Sequence, residues 1–173
     1  AIAELERSER LLPTYGMTLQ NLGGAYLSRG QQDQAIAAWQ RALEHRAPAA
    51  ASVARQLHML LRTGQRDAEA LDALRLGCEL SPTDRELHLQ LARESLNPRD
   101  PAAKDPALAF WAAERANAMA SNLDVDALEL AGSACEALGR RSEAQSRYQR
   151  AASVLKAQGN PTRAAEFERR IPR

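Results

Sequence analysis

Small residues close a helix-sized amphipathic segment four times in this chain, and their spacing is what most limits the folds open to it. Ala42, Gly77, Ala116 and Ala151 lie 35, 39 and 35 residues apart. The clearest copy of the surrounding pattern reads Leu22-Gly23-x-x-Tyr26, then Gly30, then Ala35-x-x-x-Trp39-x-x-Ala42, then Pro48. The last copy reads Ala131-Gly132-x-x-Cys135, then Gly139, then Ala144-x-x-x-Tyr148-x-x-Ala151. Two looser copies lie between them. One runs from Leu57 to Pro82 around Gly64, Ala70, Leu74 and Gly77, and the other from Leu91-Ala92 to Ala116 around Ala109. A unit of this length holds two helices that cannot bury their apolar stripes alone, so the copies must stack.

The composition agrees with helices. Alanine and leucine supply most of the apolar residues, while two Trp, three Tyr and two Phe are too few for a sheet sandwich. Lys+Arg at 23 against Asp+Glu at 22 leaves no basic surplus for a nucleic-acid track. Arg140-Arg141 and Arg169-Arg170 have acidic neighbours and read as solvated helix faces. No apolar run approaches the ~18 residues that a membrane-spanning helix needs, so direct membrane insertion is not expected. Cys78 and Cys135 fall where the pattern wants small buried side chains and read as core thiols.

The pattern resembles the tetratricopeptide repeat family, whose signature is a Leu-Gly-x-x-Tyr core, an Ala-x-x-x-aromatic core and a closing proline. The resemblance implies an all-α, right-handed solenoid of antiparallel helix pairs. The expected organisation is a second helix of a truncated preceding repeat (1–13), repeat one (14–48), repeat two (49–82), repeat three (83–121), repeat four (122–159), and a capping helix with its tail (160–173). Stepping back 34 residues takes Ala35 to Ala1, Trp39 to Leu5 and Ala42 to Ser8, so the chain is expected to start inside a repeat and to be part of something longer. Ile2, Leu5 and Leu12 should then face Leu19, Leu22 and Tyr26.

Local signals refine this frame. Gly30 should end a helix in the left-handed conformation, and Gly23 should sit where the partner helix crosses. In repeat two the register is open by one residue, and the reading anchored on Gly64 is preferred; it puts Leu57 at the crossing and turns Leu61 toward the groove. Pro98, Pro101 and Pro106 break the helical pattern and enlarge the turn 97–106. Asp105 should cap the next helix with Pro106 as its first residue, and Asn160-Pro161 should open the last helix likewise. That helix should face inward through Ala164, Phe167 and Ile171, and outward through Arg163, Glu166 and Arg170.

Nothing in the chain has the spacing of a reaction centre. His45, His58 and His88 lie in different repeats with no i, i+4 pairing, and no three or four ligands converge as a zinc site requires. Phosphate-loop, dinucleotide and haem-attachment motifs are absent from the sequence. The chain is therefore expected to be no enzyme, with no cofactor and no metal.

The resemblance instead implies protein or peptide binding by the first helix of each repeat, which lines a concave groove in this family. Carried over residue by residue, the groove positions are Met17, Gln20, Asn21, Gly24, Leu27 and Ser28 in repeat one. Repeat two contributes Arg55, His58 and Arg62, with Leu61 in the preferred register. Repeat three contributes Leu89 and Arg93, and repeat four Ser133 and Glu136. Chaperone-binding members clamp a C-terminal carboxylate with lysine and asparagine; here Gly24 replaces the asparagine and Met17 or Gln20 the lysine, which argues against that use. The expected function is a non-enzymatic interaction module or scaffold docking an extended partner segment. The alternatives are a docking domain of a larger bacterial enzyme, of the membrane glycosyltransferase or multihaem cytochrome type, and self-assembly as a homodimer through Ile2 and Leu5. The alanine- and arginine-rich composition points to a bacterial source, with cytoplasm and periplasm both open.

Overall fold

The computed structural model describes residues 2–171. Ala1, which the register aligns with Ala35, and residues 172–173 of the expected tail lie outside the described residues. Ten α-helices and no strand occur among the described residues. They fall into two compact units, Ala1–Pro82 and Thr83–Arg173.

The first unit holds α1 (Ile2–Leu11), α2 (Gly16–Ser28), α3 (Gln32–Glu44), α4 (Ala50–Thr63) and α5 (Asp67–Leu80). Helices pair in sequence, α2 with α3 and α4 with α5, over one core of Leu19, Trp39, Leu43, Val53, Leu57 and Leu61. The second unit holds α6 (Arg85–Leu96), α7 (Pro106–Met119), α8 (Val125–Ala137), α9 (Arg141–Ala157) and α10 (Pro161–Arg170). There α6 pairs with α7 and α8 with α9, while α10 packs on α9 through Ala164 and Phe167.

The close crossings show how side-chain volume sets the pairing. A Cβ on Gly23 would overlap the indole of Trp39, and one on Gly132 would overlap the ring of Tyr148. The indole Nε1 of Trp39 also donates to the Gln20 carbonyl at 3.1 Å, pinning α3 to α2. In the other two pairs the same positions hold His58 with Leu74 and Ala92 with Ala113, all buried. A glycine therefore accompanies a large ring, and a larger first-helix residue accompanies a smaller partner.

Left-handed residues end three of the first helices and fix their register: Gly30 at φ 73°, Gln65 at φ 59° and Gly139 at φ 73°. Gly64 has φ −81° and only closes its helix. This overturns the reading anchored on Gly64. The polar Gln65 takes the left-handed position, so α4 is shifted by one residue, and Leu57 and Leu61 are the counterparts of Leu22 and Tyr26. Both are core residues, 2% and 1% exposed, and Leu61 is not on the exposed first-helix face.

α1 also departs from expectation at its end. Ile2 is buried, but Leu11 and Leu12 are 74% and 59% exposed. The helix is held to its neighbours by polar groups instead: the Tyr26 hydroxyl donates to Glu6 at 2.9 Å, and Arg41 of α3 pairs with Glu9. Leu5, the other residue named for a dimer face, is half-buried.

The proline-containing turn follows Asn97 with a short 3-10 helix, Pro101–Ala103. The Asp105 amide donates to the Ser95 carbonyl at 2.9 Å, and the Asp105 carboxylate accepts from the Leu108 amide at 2.9 Å, so Asp105 both closes the turn and caps α7. Asp124 does similar work at α8, accepting from the Asp126 and Ala127 amides at 3.1 Å while Arg85 of α6 pairs with its carboxylate. That hydrogen bond raises the Arg85 pKa.

Candidate functional site

First helices present the surfaces expected to bind, and the two units differ in what they offer. On α2, Met17, Asn21, Gly24, Leu27 and Ser28 are exposed and Gln20 is half-buried. Gly24 has open space where a Cβ would go, so the surface is flat there and approachable by a partner backbone. On α4, Arg55 and Arg62 are half-buried, but His58 is 5% exposed and belongs to the interior. Burial, first, and the nearby Arg62 push the His58 pKa down to about 4, so it is neutral at physiological pH. The corrected register puts Gln56 and Met59 on the outward face in place of His58 and Leu61, and Met59 is 61% exposed. The sequence signal for Met59 was its place 35 residues after Gly24, visible once Gln65 rather than Gly64 is matched to Gly30.

In the second unit α6 packs directly beside α8, and their faces line a cleft of about 410 Å³. Arg93 and Ser133, both expected groove residues, lie in it together. Leu96 and Leu130 supply apolar wall, and Asn97 with Lys104 of the enlarged turn closes one side. Two expected residues are placed differently. Leu89 is buried against Ala116 and Ala127, because its helix face meets the next pair. Glu136 accepts a hydrogen bond from the Tyr148 hydroxyl at 2.9 Å and so serves the repeat's own core.

The last helix reaches into this cleft. Arg170 donates to Glu129 at 2.9 Å, to Ser133 at 3.0 Å and to the Tyr148 hydroxyl at 2.8 Å. Arg163 donates to Asp126 at 3.0 Å. Both arginines were expected to point only to solvent; the carboxylates on α8 draw them inward. Those two acids are thereby partly neutralised. Arg93 is shared between Glu86, at 3.2 Å, and Asp126, at 4.0 Å, and Lys104 is exposed. Burial, first, and the bond to Glu136 raise the Tyr148 pKa to about 12 against the opposing effect of Ser133 and Arg170.

Both cysteines are buried and neither forms a disulfide, and burial raises the pKa of the Cys135 thiol. No cluster of three metal-ligating side chains occurs among the described residues, and no helix described is long and apolar enough to cross a membrane.

No family model matches the chain, and no curated protein sequence matches it either. Solved structures do. The structure of MamA is 20% identical, with a TM-score of 0.55 over 91% of this chain and 88% of that one. YrrB, described as a TPR protein with an unusual peptide-binding site, is 16% identical, with a TM-score of 0.55 over 95% of this chain and 81% of its own. The TPR2AB domain of yeast Sti1, solved as a complex with pHSP90, is 16% identical, with a TM-score of 0.55 over 97% of this chain and 75% of its own. The chain has the tetratricopeptide repeat fold.

Proposed function

We propose that this chain is a protein-interaction module that holds an extended segment of a partner protein against its first helices. The observation that carries the reading is the α6–α8 cleft, where Arg93, Lys104 and Asn97 stand around an apolar wall of Leu96 and Leu130. Guanidinium, ammonium and amide donors suit the carbonyls and carboxylates of an extended chain, and the leucines suit one of its apolar side chains. The α2 and α4 surface of the first unit extends the repertoire with Met17, Leu27 and Met59, flexible apolar groups that adapt to varied partners. Two proteins of the same fold are described as binding a peptide or complexed with pHSP90, which is in keeping with this reading.

Peptides selected from a displayed random library on the chain provide the test. They should bind the Arg93→Ala/Lys104→Ala variant about tenfold more weakly, a loss of ~1.4 kcal/mol. Equal affinity for the folded variant would remove the α6–α8 cleft as the binding site.

A further inference from the structure

A second cleft, in the first unit, opens on the opposite kind of surface, between the second helices α3 and α5. It measures about 320 Å³ and penetrates to Leu57 and Leu61 of α4, with Leu43 and Leu76 as its walls. Its rim carries Gln40, Glu44, Glu69 and Asp72, and no lysine or arginine lines it. Glu69 is held by Arg66 at 2.7 and 2.6 Å and Asp72 by Arg75 at 3.1 Å, on exposed side chains where such pairs are weak and easily exchanged. Glu44 makes no ion pair among the described residues.

The second unit shows what belongs in such a cleft. A step of 74 residues carries Ala35 to Ala109, Leu61 to Cys135 and Leu74 to Tyr148, so α3, α4 and α5 correspond to α7, α8 and α9. The same step carries Ala73 to Arg147, Gln40 to Glu114 and Ile36 to Phe110. In the second unit Arg147 crosses from α9 to α7. It donates to both oxygens of Glu114, at 2.9 and 3.2 Å, and its guanidinium lies 5.8 Å from the Phe110 ring centre. Ala73 leaves that place open in the first unit, where Gln40 replaces Glu114 and the rim acids are Glu44, Glu69 and Asp72 instead.

We propose that the α3–α5 cleft receives an arginine side chain from a basic, aliphatic segment of a partner protein. The methylene stem lies along half-buried Leu76, above Leu43 and Leu61 in the floor of the cleft, as long cationic side chains do on apolar surface, and the guanidinium meets Glu44 and Asp72 at the rim. Neighbouring aliphatic residues of the segment lie over the exposed part of the wall. This is a surface separate from the first-helix faces, so one chain can hold two partners or two parts of one.

The full chain, isotope-labelled and observed by amide chemical shifts, is titrated with acetyl-Ala-Leu-Arg-Leu-Ala-amide and with the same peptide carrying glutamate at its centre. Saturable shifts at Gln40, Glu44, Leu61, Ala73 and Leu76 are expected with the arginyl peptide, and binding about tenfold weaker with the glutamyl one. Ala73→Arg should fill the cleft from within, as Arg147 does, and abolish the shifts while the chain stays helical. Should that variant fail to fold, Glu44→Gln/Asp72→Asn leaves the packing intact and is expected to weaken the arginyl peptide severalfold. No response at millimolar peptide, an equal response to both peptides, or unchanged affinity in the carboxylate variant overturns the proposal. A concentration-dependent dimer of the free chain that Ala73→Arg dissolves would also overturn it, by making a second copy the occupant.

Discussion

The guanidinium of Arg170 lies over the ring of Tyr148, 4.4 Å from its centre, and its Nη2 donates to the same residue's hydroxyl at 2.8 Å. The contact joins the last helix to the core residue that fills the Gly132 crossing, and Arg170 adds bonds to Glu129 and Ser133. Because the side chain is partly exposed, we expect Arg170→Ala to cost about 1 kcal/mol in total. The loss should be local: amide hydrogen exchange in α10 should accelerate before that in α8 and α9 changes. Arg170→Lys should restore little of it, since an ammonium lacks the planar fork that reaches three acceptors at once. Uniform acceleration across the second unit would show that α10 is not a separate cap.

The two glycine crossings make a steric prediction. Gly23→Ala and Gly132→Ala should each destabilise the chain by roughly 1–3 kcal/mol, because the new methyl group must displace a ring packed on every side. The remedy is visible in the other pairs, where Leu74 and Ala113 face larger first-helix residues. Tyr148→Leu should therefore cost less in the Gly132→Ala background than in the parent, a favourable coupling measurable by a double-mutant cycle in urea. Strict additivity would mean that the helices simply separate.

Helices, pair partners and most core positions were legible because alanine, glycine and leucine recur at a helical spacing that only stacking can satisfy. The caps at Asp105 and Asn160 were legible because a short polar residue before proline has one good use at a helix start. The site was less so. In α4 glycine drew the left-handed assignment to Gly64, and the true occupant, Gln65, carries no such sequence mark; a shift of one residue then exchanged Met59 for His58 and Leu61. Leu89 was misread because a first helix also buries residues against the following pair. Lys104, Arg163 and Arg170 enter through contacts between residues far apart in sequence, which a repeat register cannot supply.

His58 gives the chain a pH dependence of definite sign. The unfolded chain takes up its proton near the ordinary value of 6.5, and the folded chain only near 4, so folding excludes a proton between those values. The corresponding stability is complete above pH 6.5 and falls as the pH drops toward 4. On the order of 2 kcal/mol is at stake once partial screening by water is allowed for. Urea midpoints measured between pH 7 and 4.5 should decline with a component that His58→Gln removes. An unchanged slope in that variant would place the imidazole in contact with water.

Ser95 occupies the core position that Tyr26, Leu61 and Cys135 occupy in the other pairs, and it is fully buried. Its hydroxyl has no hydrogen-bond partner, although the Ser95 carbonyl accepts from Asp105. A buried hydroxyl without a partner gives up its hydration and gains nothing in return, whereas a methyl group of nearly the same size loses little. Ser95→Ala should therefore stabilise the second unit by about 1 kcal/mol, while leaving the backbone bond that closes the enlarged turn in place. The rise should appear as a higher urea midpoint with an unchanged slope, since the area exposed on unfolding hardly alters. A lower midpoint would mean that the hydroxyl holds a partner after all, an ordered water bridging to the turn being the natural one.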